Sequence, residues 1–228
     1  MQQPPMIQAQ DLHYEITNHD NQIRILSGLN LSVAQGDQVA IIGSSGSGKS
    51  TLLSMLAGLD IPSSGSVQIR GKAFSALNED SRAAVRAADM GFVFQSFQLL
   101  PALTALENVM LPLQLKSRAD AEKLSLEALA KVGLSHRVQH YPKQLSGGEQ
   151  QRVAIARAFA TQPSILFADE PTGNLDSATG QMIIELLFNM NQEAGTTLVL
   201  VTHDIQLANR CKRLLKLDGG VLREVTQS

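Results

Sequence analysis

The sequence predicts an α/β fold: a mainly parallel sheet flanked by helices, with an antiparallel β lobe and an inserted α-helical subdomain. Three observations predict it. Short apolar runs of strand length recur before residue 96 and after residue 160. The stretch between those positions shows helical patterns and no strand run. An apolar run resumes after Pro163, which marks the return to the sheet.

Strands are predicted to dominate the chain before residue 96. The apolar runs lie at residues 8–14, 23–33, 38–42, 66–69 and 91–94. The third run leads directly into a glycine-rich loop, and a helix is expected after that loop over residues 49–59. The fifth run ends at Gln95. The glycine-rich loop is therefore expected at the end of a strand and the start of a helix.

Helices are predicted in the middle of the chain, at residues 104–115, 118–132 and 149–159. The remaining elements are a strand at 164–168, a helix at 177–194, a strand at 197–201, a short helix after Asp204 and a hairpin at 214–225. The predicted organisation is one domain. Its core comprises residues 1–95 and 161–228, and its helical subdomain comprises residues 96–160.

Composition narrows the classes of function. The chain has 228 residues, of which 43% are hydrophobic and 18% charged, so we expect a packed core rather than disorder. A formal net charge of −2 gives no field that would gather nucleic acid. The single cysteine, Cys211, excludes an intrachain disulfide and is expected to be a small packed residue. We expect no signal peptide, because residues 1–10 lack a basic start followed by an apolar stretch. We expect no direct membrane insertion, because no apolar run approaches about 18–20 residues.

The glycine-rich loop fits the pattern Gly-x4-Gly-Lys-Ser and comprises Gly43, Ser44, Ser45, Gly46, Ser47, Gly48, Lys49 and Ser50. Glycines let backbone N–H groups close around phosphate oxygens, and the helix N-terminus adds a favourable dipole. Lys49 is expected to reach the β and γ phosphates, Ser50 to ligate Mg²⁺ and Thr51 to contact the α phosphate. The sequence therefore predicts a nucleotide site.

Two acids, Asp169 and Glu170, end the apolar run Ile-Leu-Phe-Ala. Asp169 is expected to meet the Mg²⁺ held by Ser50, and Glu170 to orient or deprotonate the attacking water. Two acids at a strand end can also form an exposed cap without a role. The phosphate loop upstream favours the catalytic interpretation.

A second anion site is predicted at Ser146, Gly147 and Gly148, which stand just ahead of the helix at 149–159. They offer a hydroxyl and unobstructed N–H groups at a helix start. A simple helix cap would account for Ser146 alone. It would not account for the glycine pair within residues 145–152, Leu-Ser-Gly-Gly-Glu-Gln-Gln-Arg.

The phosphate loop, residues 145–152 and the acid pair, in this order, resemble the ATP-binding subunit of ABC transporters over nearly the whole chain. The resemblance implies a P-loop NTPase fold of the ABC ATPase type that binds ATP and Mg²⁺. It also implies a homodimer in which two copies face head to tail. Each Ser146–Gly148 segment would then cover the γ phosphate bound by its partner.

Further residues take roles by the same resemblance. Gln95 corresponds to the glutamine that touches Mg²⁺ and the water, His203 to the histidine that contacts the γ phosphate, and Asp176 to the aspartate that meets the opposite phosphate loop. Each of the three, taken alone, has an ordinary structural interpretation. Tyr14 fits the aromatic residue that stacks on adenine, although many strand tyrosines merely pack.

The stretch over residues 97–106, with Leu99, Leu100 and Leu103, follows Gln95 directly. It is either ordinary packing or a groove for a partner's helix.

Details beyond the core motifs are similar to the macrolide-export and lipoprotein-release branch, and within it to YbbA-type ATPases. The stretches are Gly-Phe-Val-Phe-Gln-Ser-Phe from Gly91 and Gly-Asn-Leu-Asp from Gly173. The resemblance implies an ATPase on the cytoplasmic face of a bacterial inner membrane, peripheral to it. Its partner would be a separate permease with a large extracytoplasmic domain.

Two other functions use some of the same residues. A soluble ABC-type ATPase acting on ribosomes or DNA usually carries tandem cassettes, a long coiled-coil insert or a basic arm, and this chain has none of them. A phosphoryl-transfer kinase would leave Ser146–Gly148 and His203 without a role.

Overall fold

A computed structural model of the chain describes residues 4–18 and 21–225. The chain divides into two compact units. The first comprises Met1–Arg86 and Thr197–Ser228, and the second comprises Ala87–Thr196. The sequence-based boundaries at residues 95/96 and 160/161 both fall inside the second unit, and that subdivision stays a prediction.

The first unit begins with two long strands, β1 (Ile7–Asn18) and β2 (Asn21–Val33). The elements that follow are β3 (Gln38–Ile42), α1 (Lys49–Leu56), β4 (Ser64–Ile69), β5 (Lys72–Ala73) and α2 (Glu79–Asp89), whose last turn passes the division. Strand β1 pairs antiparallel with β2 and with β4, and β4 pairs antiparallel with β5. These four strands are the predicted antiparallel lobe.

The second unit contains the elements β6 (Met90–Phe94), α3 (Ala105–Leu115), α4 (Ala121–Lys131), α5 (Gly147–Ala160), β7 (Ile165–Asp169) and α6 (Ser177–Ala194). A single 3-10 turn, Pro142–Gln144, precedes α5. Strands β6 and β7 are parallel, and the Phe92 and Phe167 rings stack at 5.7 Å between centroids. No strand interrupts residues 95–164, all of which the structure describes, as the sequence predicts.

The chain returns to the first unit with β8 (Thr197–Thr202), α7 (Ile205–Ala208), β9 (Arg213–Asp218) and β10 (Val221–Val225). Strand β3 pairs in parallel with both β8 and β9, and β10 pairs antiparallel with β9. Every residue of β8 is buried. A continuous apolar run is typical of a parallel strand that is covered on both faces.

Two elements of the structure are missing from the sequence-based prediction, β5 and α2. Helix α2 carries four alanines at helical spacing, Ala83, Ala84, Ala87 and Ala88, but all four are exposed, and the buried residue of α2 is Arg82. Arg82 donates to the Leu77 carbonyl and to Glu79, while Arg86 donates to the Gly58 carbonyl and to Glu79. Contacts of the two arginines therefore attach this helix, and its alanines face solvent.

Candidate functional site

The phosphate loop lies where the sequence predicts it, between β3 and α1 in the first unit. Gly48 is the N-cap of α1 and adopts φ 94°, and no side chain caps the helix. A Cβ on Gly48 would lie 2.9 Å from Cγ2 of Ile25. Only glycine suits both the left-handed backbone and this close approach. The N-terminus of α1 is therefore left to its backbone N–H groups, as an anion site requires.

Lys49 is 7% exposed, and its Nζ donates to the carbonyl oxygens of Gly43 and Ser44 at 3.0 and 2.9 Å. The Lys49 ammonium thus lies against the first two carbonyls of the loop. The Ser47 hydroxyl is buried and has no hydrogen-bond partner among the described residues. Buried polar groups are normally paired, so an unpaired hydroxyl in this loop fits a phosphate oxygen as its missing partner. Ser50 is exposed and Thr51 half-buried.

His203 follows β8 and is exposed. It lines a cleft of about 340 Å³ together with Gly43 and Ser44 of the phosphate loop, and with Lys216 and Asp218. The structure thus brings His203 to the loop, across a large separation in sequence. Because Thr202 ends β8 opposite Ile42, the parallel register of β3 and β8 places the residues after both strands at one sheet edge.

Tyr14 lies on β1, and its hydroxyl donates to Oδ2 of Asp60 at 3.0 Å. This hydrogen bond, with smaller contributions from burial and from the Asp60 charge, raises the pKa of Tyr14. The bond fixes the ring at its tip and leaves the side chain half-exposed. A half-exposed ring of fixed orientation suits stacking on a flat base.

Asp169 is the last residue of β7, and Glu170 follows it in a bend. Glu170 adopts φ 46°, a left-handed conformation that is uncommon for a residue other than glycine. Both side chains are half-buried. The left-handed residue turns the chain directly after the strand, so Glu170 does not continue the strand geometry of Asp169.

Ser146 is the N-cap of α5. Its hydroxyl accepts from the Glu149 N–H at 3.2 Å, and Glu149 accepts the Ser146 N–H at 2.8 Å. The bond from the Ser146 backbone is the largest cause that lowers the pKa of Glu149. This capping box satisfies two N–H groups at the helix end. The Ser146 O–H proton is still available to donate, since a hydroxyl donates and accepts at once.

A cleft of about 140 Å³ opens beside Ser146. It is lined by Ser146, Gly148, Glu149 and Arg152 from the start of α5 and by Thr179, Met182 and Ile183 from α6. Gly148 packs tightly here, because a Cβ on it would lie 2.5 Å from Cγ2 of Thr179. Two of the three residues predicted to bind an anion, Ser146 and Gly148, therefore lie on a concave surface between two helices of one unit.

Gln95 lies after β6 and pairs reciprocally with Asn174. Its Nε2 donates to Asn174 Oδ1 at 3.1 Å, and Asn174 Nδ2 donates to the Gln95 carbonyl at 3.0 Å. A Cβ on Gly173 would lie 2.7 Å from Gln95 Nε2, so the pair needs glycine beside it. Asn174 was not among the site residues predicted from the sequence. Asn174 is the second residue of the Gly-Asn-Leu-Asp stretch, which could have indicated it.

Asp176 caps α6, and its Oδ1 accepts the Thr179 N–H at 3.0 Å. Hydrogen bonds from the Thr179 side chain and then its backbone are the largest causes that lower the pKa of Asp176. The carboxylate is exposed at the helix start. Asp176 is thus ionised and ordered within its own chain.

Two residues of α5 that the sequence analysis did not select hold loops of the second unit. Gln151 Nε2 donates to the Pro171 carbonyl at 2.6 Å. Arg157 donates to the carbonyls of Phe97 and Gln98 at 3.0 and 2.6 Å, and burial lowers its pKa. Phe97 and Gln98 both have positive φ, so Arg157 supports a strained loop just after Gln95.

The apolar stretch over residues 97–106 is only partly packed. Leu99 and Leu103 are half-buried, and Leu100 is 46% exposed. The buried Asn108 side chain accepts the Leu100 N–H and donates to the carbonyls of Leu100 and Leu103. The loop is therefore ordered with apolar surface exposed, and a partner's helix on it stays a prediction.

Across the described ranges, no group of three or more His, Cys, Asp and Glu side chains is arranged to hold a metal ion. Over the same residues, no helix is both long enough and apolar enough to span a membrane. Cys211 is buried, and burial raises the pKa of its thiol to about 12. A packed thiol of this kind agrees with the structural interpretation.

Known proteins resemble the chain over almost its full length. The family model "ABC transporter" matches residues 26–173. The chain is 51% identical to the uncharacterized ABC transporter ATP-binding protein YbbA of Escherichia coli K12, covering 96% of this chain and 97% of that protein. It is 49% identical to the lipoprotein-releasing system ATP-binding protein LolD of Hydrogenovibrio crunogenus, covering 94% of each.

A solved structure gives the same result for the fold. The ATP-binding cassette MJ0796, described as a dimeric post-hydrolysis state bound to ADP and Pi, matches with a TM-score of 0.90 and 43% identity. The match covers 97% of this chain and 98% of that one. The predicted P-loop fold of the ABC ATPase type and the resemblance to the lipoprotein-release branch are confirmed. The chain belongs to the ABC transporter family, as one of its ATP-binding, ATP-hydrolysing subunits.

Proposed function

We propose that this ATPase works as a head-to-tail homodimer that closes on two ATP molecules and drives a separate membrane permease. One observation carries the proposal: each compact unit has its own helix N-terminus equipped for phosphate. The first is the open end of α1 with Lys49, and the second is the end of α5 with Ser146. A chain that bound one nucleotide by itself would need only the N-terminus of α1, so the N-terminus of α5 is proposed to serve the nucleotide of a second chain.

The phosphate loop, residues 43–51, binds the triphosphate in this proposal. Lys49 exchanges its bonds to the loop carbonyls for the β and γ phosphates, and Ser47 gains the partner that it lacks. Tyr14 stacks on adenine. His203 donates to the γ phosphate from the cleft that it shares with Gly43 and Ser44.

Ser50, Gln95 and Asp169 are proposed to hold Mg²⁺. All three offer oxygen donors, which is the ligand type that Mg²⁺ takes, commonly with one or two carboxylates and substrate phosphates. A bound Mg²⁺ would offset the charge that develops on the phosphates. The support is the donor chemistry and the motif resemblance.

Glu170 acts as the general base. It accepts a proton from a water molecule whose oxygen forms a bond to the γ phosphorus, while the bond from that phosphorus to the β–γ bridging oxygen breaks. The products are ADP and inorganic phosphate. Gln95 orients the water, and its pairing with Asn174 shows that its amide has a defined alternative partner.

The partner copy completes each site. Ser146, Gly147 and Gly148 of one chain cover the γ phosphate bound by the other, and Asp176 meets the opposite phosphate loop. Support comes from the Ser146 O–H and the ordered Asp176 carboxylate, and from the dimeric state in which MJ0796 was solved.

The partner outside the dimer is proposed to be an inner-membrane permease with a large extracytoplasmic domain, reached from the cytoplasmic face. The relative LolD is named as part of a lipoprotein-releasing system. The exposed Leu100, in the ordered loop after Gln95, is the proposed contact for a permease helix.

A Glu170→Gln variant tests the proposal. It should bind ATP, lose nearly all turnover and accumulate as a closed dimer in Mg-ATP, measured by sedimentation velocity. The matched control is the same variant without nucleotide, which should sediment as a monomer. A monomeric Glu170→Gln chain at saturating Mg-ATP would contradict the dimer.

Capture from a membrane extract tests the permease. The tagged Glu170→Gln variant should recover a polytopic membrane protein in the presence of Mg-ATP. Recovery of ribosomes or DNA instead would favour a soluble ABC-type ATPase.

A further inference from the structure

The backbone conformation of Glu170 is unfavourable by itself and must be stabilised by its surroundings. Glu170 has φ 46° and precedes Pro171, and a residue before proline is pushed toward extended conformations rather than helical ones. Such a conformation persists only where the surrounding structure holds it. Two hydrogen bonds do so here. The Gly173 N–H donates to the Glu170 carbonyl at 3.0 Å, and Gln151 Nε2 donates to the Pro171 carbonyl at 2.6 Å.

Gln151 is an unusual residue for its position. It is fully buried in the second turn of α5, and its Oε1 has no hydrogen-bond partner among the described residues. Because the Pro171 carbonyl can only accept, the amide must turn its nitrogen toward it and leave the oxygen unpaired. A methionine would fill the same space without an unpaired oxygen. The donor, rather than the volume, therefore distinguishes glutamine at this site.

We propose that Gln151 is a positioning residue for Glu170: its amide fixes the Pro171 carbonyl and thereby the direction in which the Glu170 carboxylate leaves the backbone. This rests on the proposed function, in which Glu170 is the general base. Gln151 does not touch substrate in this role. It acts on the rate by holding a bend that would otherwise relax, and a displacement of about 1 Å in a catalytic group can cost roughly 100-fold in rate.

Gln151→Met is the direct test. It keeps the length of the side chain and removes both the donor and the unpaired oxygen. We expect kcat to fall by about 10- to 100-fold. The KM for ATP and the ATP-dependent dimerisation of the Glu170→Gln background should stay within about twofold, because the phosphate loop is untouched. An unchanged kcat in a folded Gln151→Met chain overturns the proposal.

Asn191→Leu is the matched control. Asn191 is also buried in the second unit, and its Nδ2 donates to the Thr196 carbonyl at 2.7 Å. This variant should lose thermal stability to a similar extent but keep kcat within about twofold of the parent chain. If the two variants lose kcat in proportion to their loss of stability, Gln151 is only structural and the proposal fails.

A second variant keeps the proposal testable if methionine disturbs folding. Gln151→Glu has the same shape, and burial should raise the pKa of the introduced carboxyl. Its protonated form can donate to Pro171, whereas its ionised form repels that carbonyl. The ratio of its kcat to that of the parent chain should rise as pH falls from 8 toward about 6. A ratio that does not change with pH contradicts the proposal.

Different results contradict the proposed ATPase function and the positioning role of Gln151. A parent chain without ATPase activity, or a fully active Glu170→Gln, contradicts the proposed function itself. An active parent with an inactive Glu170→Gln and an unaffected Gln151→Met contradicts only the positioning role. Gln151→Met added to Glu170→Gln should lower the residual rate no further, because both changes act through one carboxylate.

Discussion

Helices α1 and α5 both begin with a glycine-rich segment, yet their N-termini are built in different ways. Helix α1 starts at a left-handed Gly48 with no side-chain cap, and a buried lysine faces its own loop. Helix α5 starts at Ser146 in an extended conformation, and a complete capping box joins Ser146 with Glu149. The end of α1 has no side-chain cap, whereas the end of α5 is partly satisfied by its own side chains.

The two helix ends therefore suit different roles in phosphate binding. An uncapped helix end with an adjacent ammonium binds phosphate strongly without help. A capped end keeps only one hydroxyl proton and the remaining N–H groups to offer, so it binds weakly by itself. The open end therefore suits primary nucleotide binding, and the capped end suits recognition of a phosphate that another chain already holds.

The largest expected effect is at the open end. Lys49→Ala should weaken ATP binding by about 100-fold, because a hydrogen-bonded ammonium next to phosphate is lost. Equilibrium binding of a fluorescent ATP analogue measures this. Lys72→Ala, at an exposed lysine of β5, is the control and should bind normally. Wild-type ATP affinity in Lys49→Ala would contradict primary nucleotide binding at the N-terminus of α1.

A change at the capped end, Ser146, should leave ATP affinity unchanged and lower the rate of hydrolysis. Ser146→Ala should bind ATP as tightly as the parent chain but lose at least about 10-fold in steady-state hydrolysis, because the partner's γ phosphate loses a donor. It should also lose about 1 kcal/mol of unfolding free energy with the cap. Urea unfolding and phosphate release measure the two effects separately.

Ser146→Asp separates the cap from the phosphate contact. Aspartate is a good N-cap, so stability should be retained, while its charge opposes a phosphate. Hydrolysis should therefore fall in this variant without any loss of unfolding free energy. Normal hydrolysis in both Ser146 variants would mean that α5 has no phosphate to contact.

The smallest effect concerns pH. Hydrogen bonds from Ser146 hold the pKa of Glu149 below its ordinary value, so the carboxylate stabilises the folded chain above about pH 4.5, and this contribution is lost as pH falls through the folded pKa. Glu149→Gln should cost about 0.5 kcal/mol at pH 7 and less below pH 4. Thermal unfolding at both pH values checks this. A cost that is equal at pH 7 and pH 4 would exclude the ionised capping box.

Elements with a clear apolar period were predictable from the sequence, and the helix over 177–194 has the predicted bounds. The phosphate loop was predictable because its chemistry is local to one strand–helix connection. The capping box of α5 also had a local signal, Ser-x-x-Glu at Ser146 and Glu149, which the sequence analysis used only in part.

The remaining features depend on contacts between distant positions. Gln151 and Pro171 are 20 residues apart, and Gln95 and Asn174 are 79 apart. The periodicity of apolar residues in the sequence does not indicate hydrogen bonds between such distant positions. Helix α2 was not predicted from the sequence because arginine contacts to carbonyl oxygens, rather than apolar burial, attach it to the fold. Burial of a hydrogen-bonded charge leaves no apolar pattern in the sequence.

The head-to-tail dimer is tested by mixing two impaired chains, Lys49→Ala and Ser146→Ala. A head-to-tail heterodimer would contain one complete site, with the phosphate loop of the Ser146→Ala chain and the Ser146 segment of the Lys49→Ala chain. Random pairing at equal amounts then predicts recovery of up to about a quarter of the parent ATPase rate, well above the sum of the two chains alone. A mixture no more active than that sum would contradict a site completed by a second copy.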